Sequence, residues 1–113
     1  MTDILDNLSV IAQKDPEGAL GVAATQFEQG AFNAQVINPE HDGRTITSIV
    51  VTGMGGSALA ALLAKVLLQP ELSISFDVTR EYDLPNYVNE QTLVIASSYS
   101  GNTEETVSSL QQA

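Results

Sequence analysis

Residues 92–106 read Thr-Leu-Val-Ile-Ala-Ser-Ser-Tyr-Ser-Gly-Asn-Thr-Glu-Glu-Thr, an apolar run followed at once by small hydroxyl residues and one glycine. This order predicts a short strand, a turn, and a helix from Asn102 onward. The first N–H groups of a helix have no partner inside the helix, and the helix dipole favours an anion beside them. Residues 97–103, the serine turn, therefore predict a phosphate-binding loop in which the hydroxyls of Ser98, Ser100 and Thr103 add neutral donors.

A second turn with the same setting lies earlier in the chain. Ile46 to Val51 predicts a strand, residues 52–57 (Thr-Gly-Met-Gly-Gly-Ser, the glycine turn) follow, and an apolar helix is expected from Gly56 to Gln69. Turns at the carboxyl ends of neighbouring parallel strands face one crevice, where ligands bind in open α/β sheets. We therefore expect Ser57 to share one site with the hydroxyls of the serine turn.

The apolar runs from residue 46 onward follow a β–α–β–β–α order. After the helix, they predict a strand at 72–78, a loop at 79–91 and a strand at 92–96. A strand joined to the next by a helical crossover favours a parallel sheet with helices on its faces, and so an α/β fold.

Residues 1–45 predict a helical extension before this fold. Ile4, Leu5, Leu8 and Ile11 form one apolar stripe, and Asp15 with Pro16 at the first helical position predicts a second helix. The second helix is expected to bury one face, formed by Leu20, Ala23, Ala24 and Phe27. A further short helix is expected to contain Phe32, Val36 and Ile37.

Composition narrows the partners and the compartment. A formal charge of −10 over 113 residues disfavours nucleic acid and anionic lipid, and the longest apolar stretch, Ala58 to Leu68, is too short to cross a bilayer. The acidic start does not resemble a signal peptide, so a cytoplasmic protein is expected. With no cysteine, no histidine pair and no carboxylate cluster of ligand spacing, no metal site is predicted, and His41 is expected to be an exposed surface residue.

Three motifs then occur in one order: Gly53-Met54-Gly55-Gly56-Ser57, Arg80-Glu81-Tyr82-Asp83-Leu84-Pro85, and Ser98 to Thr106. In this the chain resembles the bifunctional phosphoglucose/phosphomannose isomerases of the sugar isomerase (SIS) domain superfamily. The resemblance implies a three-layer sandwich with a parallel, flavodoxin-like sheet, in which residues 46–113 form the truncated front half of a SIS domain. It also implies interconversion of glucose 6-phosphate or mannose 6-phosphate with fructose 6-phosphate, by a homodimer that uses no cofactor.

The resemblance also assigns roles to residues. Four side chains would hold the substrate phosphate, namely Ser57, Ser98, Ser100 and Thr103. The backbone N–H groups of Gly55 and Gly56 would approach substrate oxygens and help to stabilise an enediolate, and Glu105 matches a residue that orients a catalytic histidine. The general base, the ring-opening histidine and a lysine would lie beyond Ala113. We therefore expect the chain to be an inactive fragment, with an unpaired apolar sheet edge.

Plainer interpretations exist for several of these residues. Gly53 to Ala58 also fits the GxGxxA dinucleotide pattern, with Asp77 placed 24 residues after Gly53, although a dinucleotide fold has no use for a second, hydroxyl-rich turn. The glycines would otherwise serve only close packing, and one serine-turn hydroxyl would serve only to cap the last helix. The helix dipole alone accounts for Glu104 and Glu105.

Arg80 also has two interpretations, since it either enters the cleft or pairs with Glu81 or Asp83. Two further functions remain open on the sequence: a non-catalytic SIS module that senses a phosphosugar, and an isomerase of another phosphosugar.

Overall fold

The computed structural model of the chain describes residues 6–37, 40 and 42–113. The chain divides into two compact units, Met1–Glu40 and His41–Ala113. Ile4, Leu5 and His41, for which the sequence predicts a helical stripe and a surface position, lie outside the described residues.

Between residues 7 and 37, the structure describes two short α-helices and a 3₁₀ helix. Helix α1 (Leu8–Lys14) begins where the side chain of Asn7 accepts the N–H groups of Ser9 and Val10. Helix α2 (Ala19–Thr25) is followed by the 3₁₀ helix Gln26–Ala31.

The predicted start of the second helix at Pro16 is wrong. Pro16 lies in a turn, and Gly18, in the left-handed conformation at φ 69°, stands between that turn and the helix. The Asp15 carboxylate nevertheless accepts the N–H groups of Ala19 and Leu20, each at 2.8 Å. Asp15 therefore binds the first turn of α2 from four and five residues away.

Two further expectations for this unit are wrong. The expected buried face is not formed: Leu20 and Phe27 are exposed by 59% and 79%, and Phe27 lies in the 3₁₀ helix because α2 already ends at Thr25. No helix forms among residues 32–37, where Phe32, Val36 and Ile37 have non-helical backbone and are exposed. Residues of modest helix propensity precede Pro39 in the sequence, and a helix is disfavoured immediately before a proline.

The second unit has the predicted β–α–β–β–α order and an α/β architecture. Its elements are β1 (Ser48–Gly53), α3 (Gly55–Leu68), β2 (Ser75–Thr79), β3 (Thr92–Ser97) and α4 (Glu104–Gln112). The strands form one parallel sheet in the order β2-β1-β3, with Ser48 level with Ser75 and Thr92. β1 runs two residues beyond its predicted end because Thr52 and Gly53 still pair with β3. Residues 72–74, which were predicted to belong to the second strand, lie outside β2, and the N–H of Leu72 donates to the carbonyl oxygen of Leu68 instead.

The two helices cover opposite faces of the sheet, giving three layers. A Cβ atom at Gly53 would point towards Ser57 of α3, whereas Val94, on the other face, lines a cavity together with Gln112 of α4. Between the layers, the core contains Val50, Val51, Ala58 and Ala61. On the α3 side, Leu93 and Ile95 of β3 remain 43% exposed.

None of the helices within residues 6–37 or 42–113 has both the length and the apolar character needed to cross a bilayer.

Candidate anion-binding site

The glycine turn and the serine turn lie side by side at the carboxyl edge of the sheet. Gly53 pairs with Ser97 in the register of β1 and β3. A Cβ atom built on Gly53 would lie 2.8 Å from the carbonyl oxygen of Ser97 and 3.4 Å from the Cβ atoms of both Ser57 and Ser97. The missing side chain of Gly53 therefore allows the two turns to approach each other, and Ser57 lies beside the start of the serine turn.

Three hydroxyl groups of the serine turn form a closed hydrogen-bonded set, the hydroxyl triangle. Ser98 Oγ lies 3.1 Å from Thr103 Oγ1 and 3.3 Å from Ser100 Oγ, and the Ser100 and Thr103 hydroxyls are 3.2 Å apart. Gly101, with φ 73°, turns the chain so that its N–H also donates to Ser98 Oγ at 3.1 Å. The sequence-predicted residues Ser98, Ser100 and Thr103 are thus brought together in one place.

Both helices that begin at this edge lack a side-chain cap. Thr103 occupies the N-cap position of α4 and Met54 that of α3, and neither side chain accepts a hydrogen bond from its helix. Within residues 42–113, the N–H groups of Gly55, Gly56, Glu104 and Glu105 find no acceptor. No hydroxyl of the serine turn therefore caps α4, and the interpretation of one of these hydroxyls as a helix cap is wrong.

Tyr99 is a fully exposed side chain of the serine turn. Its relative exposure is 104%, between Ser98 and Ser100 of the hydroxyl triangle. The turn is thus organised by its hydroxyls and backbone, and the tyrosine ring adds no packing to it.

The carboxylates at the start of α4 face a tyrosine. Tyr82 donates its hydroxyl to Glu104 Oε2 at 3.2 Å, and the pKa of Tyr82 is raised, chiefly by the negative charge of Glu105 and then by that bond. The structure thus places the half-buried Glu105 beside the Tyr82 phenol. The histidine that Glu105 would orient is expected beyond Ala113, so the assignment of Glu105 as a residue that orients a histidine stays a prediction.

The motif Arg80–Pro85, the linkage segment, is held on α4 by residues that sequence reasoning missed. Ser109 Oγ donates to the carbonyl oxygens of Glu81 (3.3 Å) and Tyr82 (3.4 Å). Gln112 Nε2 donates to the Tyr82 carbonyl at 3.0 Å, and Gln112 Oε1 accepts the Leu84 N–H at 3.0 Å. No sequence pattern marks this pair, because polar residues on a helix otherwise indicate only a solvated face.

The expected ion pair of Arg80 is not formed among the residues that the structure describes. Asp83 Oδ1 accepts from Gln112 Nε2 at 3.2 Å instead, and Arg80 is exposed. The salt bridges of the described residues join Arg44 to Asp42 and Lys65 to Asp77.

Asp77, the candidate ribose ligand of a dinucleotide site, is engaged elsewhere. Its Oδ1 lies 2.9 Å from Lys65 Nζ, and its Oδ2 accepts the Tyr87 hydroxyl at 2.7 Å. The Tyr87 bond and then the Lys65 bond lower the pKa of Asp77, while burial and Asp77 together raise the pKa of Tyr87 to about 12. With both oxygens partnered, Asp77 favours a structural role at the edge of the sheet.

The described residues contain no group of three or more histidine, cysteine or acidic side chains placed to hold a metal ion.

Comparison with known proteins identifies the second unit. The family model described as "SIS domain" matches residues 44–113. The chain is 53% identical to a bifunctional phosphoglucose/phosphomannose isomerase of Caldicellulosiruptor bescii over 68 residues, which is 60% of this chain. It is 42% identical to a bifunctional phosphoglucose/phosphomannose isomerase of Thermoplasma volcanium over 65 residues, which is 58% of this chain. A D-glucosamine-6-phosphate 4-epimerase of Sulfolobus acidocaldarius is 34% identical over 70 residues, or 62% of the chain.

The chain spans only about a fifth of these relatives, 20% of the two isomerases and 21% of the epimerase. No solved structure matches the chain.

Proposed function

Because this chain belongs to the SIS domain family, we propose that its paired turns bind the phosphate of a sugar phosphate, in an enzyme that interconverts aldose and ketose hexose 6-phosphates. The names of the matched isomerases support this reaction. A homodimer, as the resemblance implies, stays a prediction.

The observation that carries the proposal is the hydroxyl triangle beside two uncapped helix starts. Its hydroxyls lie 3.1–3.3 Å from one another, and a hydroxyl proton rotates about its C–O bond, so each can exchange a bond to a neighbouring hydroxyl for a bond to an incoming phosphate oxygen. The unpartnered N–H groups of α3 and α4 lie at the N-termini of the two helices, so the positive ends of both helix dipoles are at the same edge of the sheet. Hydroxyls, N–H groups and dipoles together suit a compact anion rich in acceptor oxygens, such as a phosphomonoester.

In this function the turns would anchor substrate and leave the proton transfer to other groups. Isomerisation moves a proton between neighbouring carbons through an enediol, and a held phosphate fixes those carbons relative to the base. Ser57 and the hydroxyl triangle hold the phosphate. The N–H groups of Gly55 and Gly56 then stabilise negative charge on the enediolate oxygens, and Glu105 orients a histidine.

A second candidate is an enzyme for another phosphosugar, favoured by the similarity to the D-glucosamine-6-phosphate 4-epimerase. Both candidates use the phosphate in the same way, so the choice depends on residues that contact the sugar. A phosphosugar-sensing module would share the anchor as well, and would bind without turnover.

The deciding experiment uses the gene product that carries residues 1–113. It is incubated separately with fructose 6-phosphate, glucosamine 6-phosphate and unphosphorylated fructose, and the products are followed by NMR. Conversion of fructose 6-phosphate to glucose 6-phosphate and mannose 6-phosphate supports the proposal. Turnover of glucosamine 6-phosphate alone supports the second candidate, and binding without turnover supports the sensing module. Equal binding of fructose and fructose 6-phosphate contradicts a phosphate site.

A further inference from the structure

The linkage segment leaves β2 at the edge of the sheet where both turns lie. Thr79, the last residue of β2, pairs with Thr52, the residue before Gly53 in the central strand. Parallel strands lie about 5 Å apart. In the order β2-β1-β3, the backbone of Arg80 therefore leaves the sheet about 5 Å from the glycine turn and about 10 Å from the end of β3. The long side chain of arginine covers most of such a distance.

Among residues 42–113, Arg80 is the cation without an ion-pair partner, and it lies at this edge. Among residues 42–113, Lys65 is bound to Asp77, and Arg44 is bound to Asp42 and the Glu90 carbonyl. Arg44 also lies before β1, at the amino ends of the strands. The guanidinium of Arg80 is exposed and bonds none of the described acidic residues, including its neighbours Glu81 and Asp83.

The segment behind Arg80 is fixed. Ser109 and Gln112 hold the carbonyls of residues 81 and 82 and the N–H of Leu84, and Tyr82 is tied to Glu104 at the first turn of α4. These bonds join the segment to the helix whose N-terminus follows the hydroxyl triangle. An otherwise exposed loop therefore presents Arg80 from a backbone that is anchored to the same helix as the site.

We propose that Arg80 contacts the anionic substrate and supplies the formal positive charge that the two turns lack, with Ser109 and Gln112 as positioning residues that hold Arg80 at the edge. This inference rests on the proposed sugar-phosphate function. It has an electrostatic reason, because a chain of formal charge −10 repels a phosphate dianion, and an arginine at the rim opposes that field locally.

The test compares Arg80→Ala and Arg80→Lys with Arg44→Ala in the gene product that carries this chain. Arg44 is the matched control, being an arginine already paired at the opposite edge. For Arg80→Ala we expect the KM for fructose 6-phosphate and the dissociation constant for inorganic phosphate to rise about fivefold or more, with kcat changed less. Arg80→Lys should restore part of the loss, and Arg44→Ala should change neither constant.

Gln112→Ala tests the positioning role. It should raise the same two constants, and combining it with Arg80→Ala should add little, because the second change acts through a side chain already removed. Full additivity would overturn the positioning role. Arg80→Gln, of similar length, replaces Arg80→Ala if circular dichroism shows that the alanine variant is unfolded.

The outcomes separate this inference from the proposed function. If the wild-type protein binds phosphate and isomerises fructose 6-phosphate while neither Arg80→Ala nor Arg80→Gln changes the two constants, the role of Arg80 is refuted and the isomerase proposal stands. If the wild-type protein neither binds phosphate nor turns over substrate, the proposed function fails and Arg80 fails with it.

Discussion

At the scale of single residues, the hydroxyl triangle makes the sharpest prediction. Ser100→Ala and Thr103→Ala each remove one donor to a charged group, so each should lower kcat/KM by about tenfold or more, corresponding to roughly 1.5–3 kcal/mol. Steady-state kinetics with fructose 6-phosphate measures this. Ser73→Ala, an exposed serine before β2, is the control that should leave kcat/KM unchanged. Wild-type kinetics in both triangle variants would show that the serine turn is structural.

Gly53 makes a prediction about stability. In Gly53→Ala the new Cβ would lie 2.8 Å from a backbone oxygen, a contact that the strand pairing cannot relieve without moving β1 from β3. We expect a loss of about 1–3 kcal/mol in the free energy of unfolding. Urea denaturation measures it, with Gly56→Ala as control because that Cβ would meet no atom within 4 Å. Equal stability of the two variants would contradict the close approach of the turns.

Individual residues were predictable from the sequence where chemistry repeats locally. Ser98, Ser100 and Thr103 follow one apolar strand, and their clustering needs only a turn. Gln112 and Ser109 were not predictable, since they act on a segment about 28 residues away in the chain, whose position depends on how α4 packs. The choice between the two interpretations of Arg80 could not be made from the sequence for a related reason, because Asp83 is bound by Gln112.

At the scale of elements, the carboxylate of β2 connects α3 to the loop before β3 and makes stability depend on pH. The pKa of Asp77 is lowered in the folded state, so its contribution is present above the ordinary value of 3.8 and is lost as the pH falls through the folded pKa. The pKa of Tyr87 is raised to about 12, so its contribution is present below the ordinary value of 10.0 and is lost as the pH rises towards 12.

Urea denaturation across pH tests both limbs of this dependence. Asp77→Asn should flatten the acid limb of the stability profile, and Tyr87→Phe should flatten the alkaline limb. Glu71→Gln and Tyr99→Phe, which change an exposed carboxylate and an exposed phenol, are the matched controls. An acid limb that is as steep in Asp77→Asn as in the wild-type protein would contradict the role of the Asp77 bonds.

The order of strands and helices in the second unit was predictable from the apolar runs of the sequence, but the residues at which these elements end were not. A strand ends where its ladder ends, so β1 reaches Gly53 because β3 still offers Ser97 as a partner. In the first unit the same kind of pattern failed for Phe32, Val36 and Ile37, whose side chains remain exposed. Apolar periodicity predicts a helix well only when the apolar face of that helix is buried by packing.

At the scale of the whole molecule, the uncovered face of β3 predicts self-association of residues 1–113 expressed alone. Leu93 and Ile95 are exposed by 43% each on a strand whose second edge has no partner within the described sheet. Light scattering should report a mass above the 12.0 kDa of one chain. Leu93→Lys combined with Ile95→Lys should return the mass to that of a monomer. A monomeric wild-type chain would contradict the prediction.

The exposure of Tyr99 opens a spectroscopic route to the site. Residues 1–113 contain no tryptophan, so Tyr99→Trp would give this chain one indole fluorophore, placed between two hydroxyls of the triangle. Because the side chain at position 99 packs against nothing, the replacement should leave the fold unperturbed. Its emission would then respond when an anion displaces water from the neighbouring turn. Titration with phosphate, with sulfate as a comparison, would turn a site inferred from geometry into a binding curve read directly in solution.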